Sequence, residues 1–389
     1  MRQLGPMVEA VFGGRPPFRV RDWDGAAHGP DGAPTVVLRS PRALRRLLWN
    51  PGELGLARAY VTGELDVEGD LADGLRRIRA TGGRVRVDWA RAVRALKGLG
   101  PALGPPLPAP ESEARLRGRR HSRARDRAAI SHHYDLSNAF YRLILDETMA
   151  YSCAVFEPGD TLHRAQRRKL DLVCGKLRLR PGMRLLDVGC GWGSLLLHAA
   201  REYGVRATGV TLSAAQKAHI EERAQGLDVR VELRDYRDVD DGPYDAIASI
   251  EMGEHVGQDR YPAYAAALHR LVQPGGGVLV QQMSREGGHP GGGPFIESYI
   301  APDMHMRPVG ETIALLEGSG LVFTHAEAMG EHYVRTVRAW YDTFESRYAE
   351  AVALVGEERA RVWRLYLVGG GLAFEQGRMN IHQILLRRR

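Results

Sequence analysis

LLDVGCGWGS, residues 185–194, decides the fold. An apolar run closes on Asp187, glycines follow at 189, 191 and 193, and a helical apolar pattern starts at Ser194. Glycine turns where other residues cannot and lets backbone approach a ligand closely. A strand, a glycine-rich turn and a helix in that order open the ligand crevice of a doubly wound α/β sheet. The spacing is GxGxG, not the GxGxxG of a dinucleotide site, and the next strand end, GVTLS at 209–213, lacks the acid such a site uses on its ribose.

Outward from this loop, strands and helices alternate. Strands are expected at 183–190, 205–212, 229–236, 244–252, 276–283 and 321–329, and helices near 160–178, 191–204, 213–226, 261–272 and 311–320. Alternation of this kind builds a parallel sheet. MNIHQILLRR, 379–388, reads as a closing edge strand. Toward the N-terminus the pattern changes. Helices are expected from Pro41 with Ser40 as cap, from Pro51 to near Gly63, and after the cap Asp70. VDWARAVRALKGLG, 87–100, is a basic amphipathic helix that either packs on its own domain or lies on a membrane surface. PALGPPLPAPESEA, 101–114, is proline-rich, and 115–127 holds seven arginines. The expected organisation is therefore a smaller mixed α/β domain over 1–100, a linker over 101–127, and the doubly wound domain over 128–389.

Composition narrows the function. The apolar fraction of 44% is that of a soluble globular protein, and no run of about 18 apolar residues suggests a transmembrane helix. No secretory leader is evident, so a cytoplasmic protein is expected. The three cysteines, Cys153, Cys174 and Cys190, have neither disulfide nor zinc spacing, and no metal is expected. The net charge of +7, carried almost wholly by arginine, suits an anionic membrane or a nucleic acid. No RNA-binding pattern is present, so nucleic acid is not expected as a partner.

Several further motifs resemble one family when taken in series. HYDLSNAFY at 133–141, MAYSCAVF at 149–156, GVTLSAAQ at 209–216, DYRD at 235–238 and EMGEHVG at 251–257 look like those of cyclopropane-fatty-acyl-phospholipid synthases and their mycolic-acid relatives. LARAYVTGELDVEGDL at 56–71 resembles the N-terminal domain of the phospholipid-acting members. The resemblance implies a class I S-adenosylmethionine-dependent methyltransferase fold. By the same resemblance Gly189, Gly191, Thr211, Ser213, Gln216, Asp235 and Tyr236 hold that cofactor, and Tyr134 and Ser152 reach it from the N-terminal side. Asp187 either binds the cofactor or only orients the loop.

Methyl addition to an alkene leaves a carbocation on the lipid. The site must exclude water, offer aromatic faces and supply a base. In the family the base is thought to be bound bicarbonate, held by a cysteine segment, a glutamate, a histidine and a tyrosine. Cys153, Glu254 and Tyr333 match three of these positions. The histidine position holds Gln281, which cannot carry a proton; His255 or His305 could take over that task. With APDMHMRP at 301–308, this departure looks more like the actinobacterial branch that makes 10-methylene fatty acids from oleoyl phospholipid. That branch implies a reductase acting on the product. A homodimer through the N-terminal domain and peripheral attachment to the inner face of the membrane through Arg115–Arg127 are further expectations. Rival readings are a cyclopropane synthase, a catalytically inactive lipid-binding paralogue, a nucleic-acid methyltransferase and a small-molecule methyltransferase. As a nucleophile Cys153 would need a thiol-directed reaction, which this chemistry lacks.

Overall fold

A computed structural model describes residues 16–80, 104–134, 137–287 and 290–389. The basic helix expected over 87–100 lies outside these residues, as does the side chain of Tyr134. The chain divides into two compact units, Met1–Glu113 with Gly356–Leu372, and Ala114–Val355 with Ala373–Arg389.

The first unit carries a four-stranded sheet of β1 (Arg19–Arg21), β2 (Ala27–His28), β3 (Thr35–Leu38) and β4 (Leu65–Glu68), in the order β2-β1-β3-β4. Ser40 caps the helix Pro41–Trp49, accepting from the Arg42 amide, and Asp70 caps Leu71–Ala80 through the amides of Ala72 and Asp73. Both caps satisfy amides that a helix start leaves without partners. Arg361 ties the late segment Gly356–Leu372 to this unit. Its guanidinium donates to the carbonyls of Tyr60 (2.6 Å) and Leu65 (3.0 Å), pairs with Asp66 at 3.2 Å and lies over the Tyr60 ring.

The second unit is built on a seven-stranded sheet. Its strands are β5 (Arg184–Val188), β6 (Arg206–Thr211), β7 (Val229–Leu233), β8 (Tyr244–Ile250), β9 (Val272–Ser284), β10 (Leu321–Ala328) and β11 (Asn380–Arg388). The order is β10-β11-β9-β8-β5-β6-β7. β5 to β9 run parallel, and β11 runs antiparallel to β9 and β10. Along the central strands alternate residues enter different cores. Leu185, Ala246, Ala248 and Leu279 join one cluster, and Leu186, Ile247, Val278 and Val280 the other. This period of two buries both faces, as a parallel sheet covered by helices requires.

Two expectations change. β11 is not an edge strand, because β10 pairs with its outer side. The burial pattern explains the order: β11 brings Ile381, Ile384 and Leu386 into the interior, whereas β10 is largely exposed beyond Leu321. In addition, a helix, Arg123–Tyr134, begins inside the stretch expected to be a linker.

β5 sits at the point where the strand order reverses, with β6 on one side and β8 on the other. Ligands bind such sheets beyond the carboxyl ends of the strands at this point. The glycine loop leaves β5 there and Glu251 leaves β8 there.

Arg361→Ala strips a buried guanidinium from two carbonyls and Asp66. Breaking a buried pair in this way is expected to cost the first unit about 3 kcal/mol. Urea unfolding of the full chain checks this, and a loss below about 0.5 kcal/mol contradicts the anchoring role.

Candidate active site

A cavity opens at the switch point. Gly189, Gly191, Thr211, Gln216, Asp235, Tyr236, Glu251, Met252 and His255 are among its walls. Gly189 and Gly191 have φ of +80° and +53°. A Cβ at Gly189 would come within 2.7 Å of Met252 Cγ, so that position has no room for a side chain. The amides of Gly189 and Cys190 both donate to the Val210 carbonyl, which folds the loop back over β6. Thr211 donates to Gln216 Oε1 at 2.6 Å, and Ser213 caps the helix Ala214–Arg223. Asp235 accepts from the Arg237 amide and guanidinium, and Arg237 also reaches Asp126. Burial opposes the charge on Asp235, but these bonds outweigh it and hold the carboxyl below its ordinary range.

Beside this cavity lies a buried acid cluster. The amide of Cys153 donates to Glu251 Oε1 at 2.7 Å, and Gln281 Nε2 donates to the same oxygen at 2.7 Å. The Tyr333 hydroxyl donates to Glu251 Oε2 at 2.7 Å. Glu251 itself has φ of +53°, a conformation uncommon for a side-chain-bearing residue. Its own amide donates to the Gln281 carbonyl at 2.7 Å. Burial raises the Glu251 carboxyl above the usual range, while the three donors and the Lys169 ammonium favour its charge.

A polar row fixes the orientation of Gln281. Lys176 Nζ donates to Gln383 Oε1 at 2.6 Å, and Gln383 Nε2 donates to Gln281 Oε1 at 2.9 Å. Lysine can only donate and a carboxylate can only accept. With Lys176 at one end and Glu251 at the other, each amide has one favourable orientation. The row follows the strand register, Gln281 opposite Gln383 and Gln383 opposite Glu327, and Lys176 also contacts Glu327.

Of the residues expected at the base site, the structure brings Cys153, Gln281 and Tyr333 together. The structure brings Glu251 to them, three residues before the expected Glu254. Glu254 is buried within the turn Gly253–His255 and does not meet these groups among the described residues. Its Oε2 has no partner among the described residues, and its carboxyl is pushed up to about 8, chiefly by burial and then by the charge of Glu251. His255 lines the cavity, and burial pushes its imidazole down to about 4. Among the described residues neither it nor His305 is hydrogen-bonded to Glu251. Asp187 is buried and pushed up to about 7 by burial, with Lys169 pulling the other way. Ser152 accepts from Lys169 Nζ at 2.9 Å. Cys153 keeps a neutral thiol, since burial and Glu251 raise it well above its ordinary value, and the thiol donates to the Ala154 carbonyl.

Sequence reasoning missed Glu251, Lys169, Gln383 and Trp340. Lys169 left one signal: it stands on the stripe of Ala165 and Val173 in the helix Leu162–Lys176, where a lysine is out of place. Trp340 joins an aromatic run. Tyr141 meets Tyr151 edge-on at 5.6 Å, Tyr151 lies 5.2 Å from Trp340, and Trp340 lies 6.1 Å from Tyr333. The arginines of 115–127 divide. Arg120 and Arg125 pair with Asp303 and Arg123 pairs with Asp238, while Arg115, Arg117, Arg119 and Arg127 are exposed.

The walls fit S-adenosylmethionine, the cofactor expected from the sequence. Tight glycine backbone, the Thr211–Gln216 pair and the Asp235–Tyr236 corner provide close approach, neutral polar groups and an anchored acid. Bicarbonate does not fit equally well. Of the groups expected to hold it, the Cys153 amide, Gln281 and Tyr333 already serve the Glu251 carboxylate.

Known proteins share this architecture. The family model "Mycolic acid cyclopropane synthetase" matches residues 121–384. A Pseudomonas putida protein named "Probable fatty acid methyltransferase" is 38% identical over 99% of this chain and 94% of its own length. Tuberculostearic acid methyltransferase UfaA1 of Mycobacterium tuberculosis is 34% identical over 96% of this chain and 88% of its own. The crystal structure of mycolic acid cyclopropane synthase CmaA1 complexed with SAH and CTAB is similar with a TM-score of 0.64 at 34% identity, covering 67% of this chain and 98% of that one.

Gly189→Ala is expected to weaken S-adenosylhomocysteine binding at least tenfold, since a Cβ must displace Met252 and adopt a positive φ. Calorimetric titration measures this, and an unchanged affinity removes the glycine loop from the cofactor site.

Proposed function

This chain belongs to the mycolic acid cyclopropane synthetase family, and on that premise we propose that it methylates the double bond of an oleoyl chain in a membrane phospholipid to give a 10-methylene acyl product. The observation that carries this reading is the buried Glu251 cluster, reached by an aromatic run and opening on the cofactor cavity. When bound, S-adenosylmethionine supplies an electrophilic methyl group. Gly189, Gly191, Thr211, Gln216, Asp235 and Tyr236 would hold it.

The remaining work falls to the chain's own side chains. Tyr141, Tyr151, Trp340 and Tyr333 form a run of aromatic surface that ends at the acid's hydroxyl partner, and such surface steadies a cation without attacking it. The burial of Tyr141, Trp340 and Tyr333 keeps out the water that would quench it. Gln281 supports the methylene product. It cannot carry a proton, so proton removal here differs from that in a site with histidine. The 34% identity to a tuberculostearic acid methyltransferase over 96% of this chain supports the same product. A saturated 10-methyl chain would then need a reductase as the next enzyme. Attachment to anionic membranes falls to the exposed Arg115, Arg117, Arg119 and Arg127.

The direct experiment incubates the full chain with S-adenosylmethionine and dioleoyl phospholipid vesicles and reads the products by proton NMR. Vinylidene signals downfield are expected. Upfield ring signals would instead make it a cyclopropane synthase, and an unconsumed alkene would end the lipid reading. Binding to anionic vesicles should fall as salt rises; binding unchanged between low and high salt would take the arginines out of the account.

A further inference from the structure

We propose that the Glu251 carboxylate is itself the base of the reaction and stands where a bound bicarbonate would otherwise sit. The inference rests on the methyl-transfer reading above. A bicarbonate site consists of donors converging on a small anion. Here the Cys153 amide, Gln281 Nε2 and the Tyr333 hydroxyl converge on one anion that is covalently part of the chain. Both partners of Oε1 are N–H groups and can only donate. Glu251 also lines the cofactor cavity, so the residue that gathers these donors borders the space where S-adenosylmethionine would sit.

Two features hold the carboxylate there. Glu251 leaves the carboxyl end of β8 in the left-handed region, at φ of +53°, with its amide held by the Gln281 carbonyl. Strained backbone of this kind persists only where the surroundings fix it. The row from Lys176 through Gln383 to Gln281 then directs an N–H at Oε1. Gln281 is thus a positioning residue, and no histidine is needed to carry a proton.

The step balances as a single proton transfer. Once the alkene carries the new methyl group and the neighbouring carbon is cationic, Glu251 takes one proton. After a hydride shift the proton comes from the new methyl, and its C–H electron pair becomes the exocyclic double bond; without the shift the same pair closes the ring. The cation is neutralised and the carboxylate becomes an acid, which returns its proton to solvent before the next turnover. Burial makes Glu251 a stronger base than an exposed carboxylate, while its three donors and then Lys169 favour the charged form.

Glu251→Ala removes the carboxylate and opens its space; Glu251→Gln removes the charge and leaves the space filled. The full chain is assayed on dioleoyl phospholipid vesicles in buffer stripped of carbon dioxide, then with added ¹³C-bicarbonate. The parent should turn over at one rate in both buffers and leave the ¹³C line sharp. Both variants should lose about 10²–10⁴-fold in rate while keeping their affinity for S-adenosylhomocysteine. Bicarbonate should broaden its ¹³C line with Glu251→Ala and restore part of that variant's rate, but do neither with Glu251→Gln. A parent that requires bicarbonate overturns the proposal, as does Glu251→Ala turning over within about threefold of the parent without it. If Glu251→Ala does not fold, judged by S-adenosylhomocysteine binding, the parent's response and the Glu251→Gln rate decide alone. If the parent consumes no alkene at all, the lipid reading fails and the ¹³C line decides: broadening by Glu251→Ala but not by the parent keeps Glu251 as the occupant of an anion site, and broadening by the parent removes it.

Discussion

A carboxylate taken out of water must be given donors in return, and Glu251 receives three from three separate parts of the chain. The Cys153 amide comes from the loop before the helix Leu162–Lys176, Gln281 from β9, and Tyr333 from the helix Gly330–Ser346. None of these can shift without leaving the half-buried carboxylate short of a partner. Removing one partner from such a group costs more than the bond itself contributes, because the desolvation remains. The acid therefore fixes the mutual placement of the three segments, and the aromatic run packs around that arrangement.

The sheet topology explains why this point of the fold can carry both a cofactor and an acid. β5 and β8 are neighbours but lead in opposite directions through the strand order, so their carboxyl ends leave a crevice between them. β5 supplies glycines, which make room, and β8 supplies the acid. Register then sets Gln281 beside Glu251 and Gln383 beside Gln281, so one line of hydrogen bonds runs across β8, β9 and β11 to Lys176.

Much of this was legible in the sequence. The glycine spacing of 185–194 and the alternation after it gave the sheet, and Thr211, Gln216, Asp235 and Tyr236 do line the cavity. The motif around Cys153 points to the right segment, and it is the Cys153 amide that meets the acid. Glu251 escaped because EMGEHVG offers two acids three residues apart. Only the turn at Gly253–His255, with Glu251 in a left-handed conformation, decides which of them faces Tyr333. The inner position of β11 was also hidden, since strand order depends on long-range pairing that local pattern does not encode. Gln383 and Lys176 matter only through that pairing.

The central claim is that a side-chain carboxylate occupies the anion site. A crystal structure of the full chain with S-adenosylhomocysteine, grown with bicarbonate present, tests it most directly. The account predicts density for the Glu251 carboxylate within hydrogen-bonding distance of the Cys153 amide, Gln281 and Tyr333, and no separate anion among them. A discrete trigonal anion bonded to Cys153 and Tyr333, with Glu251 turned away, would contradict it.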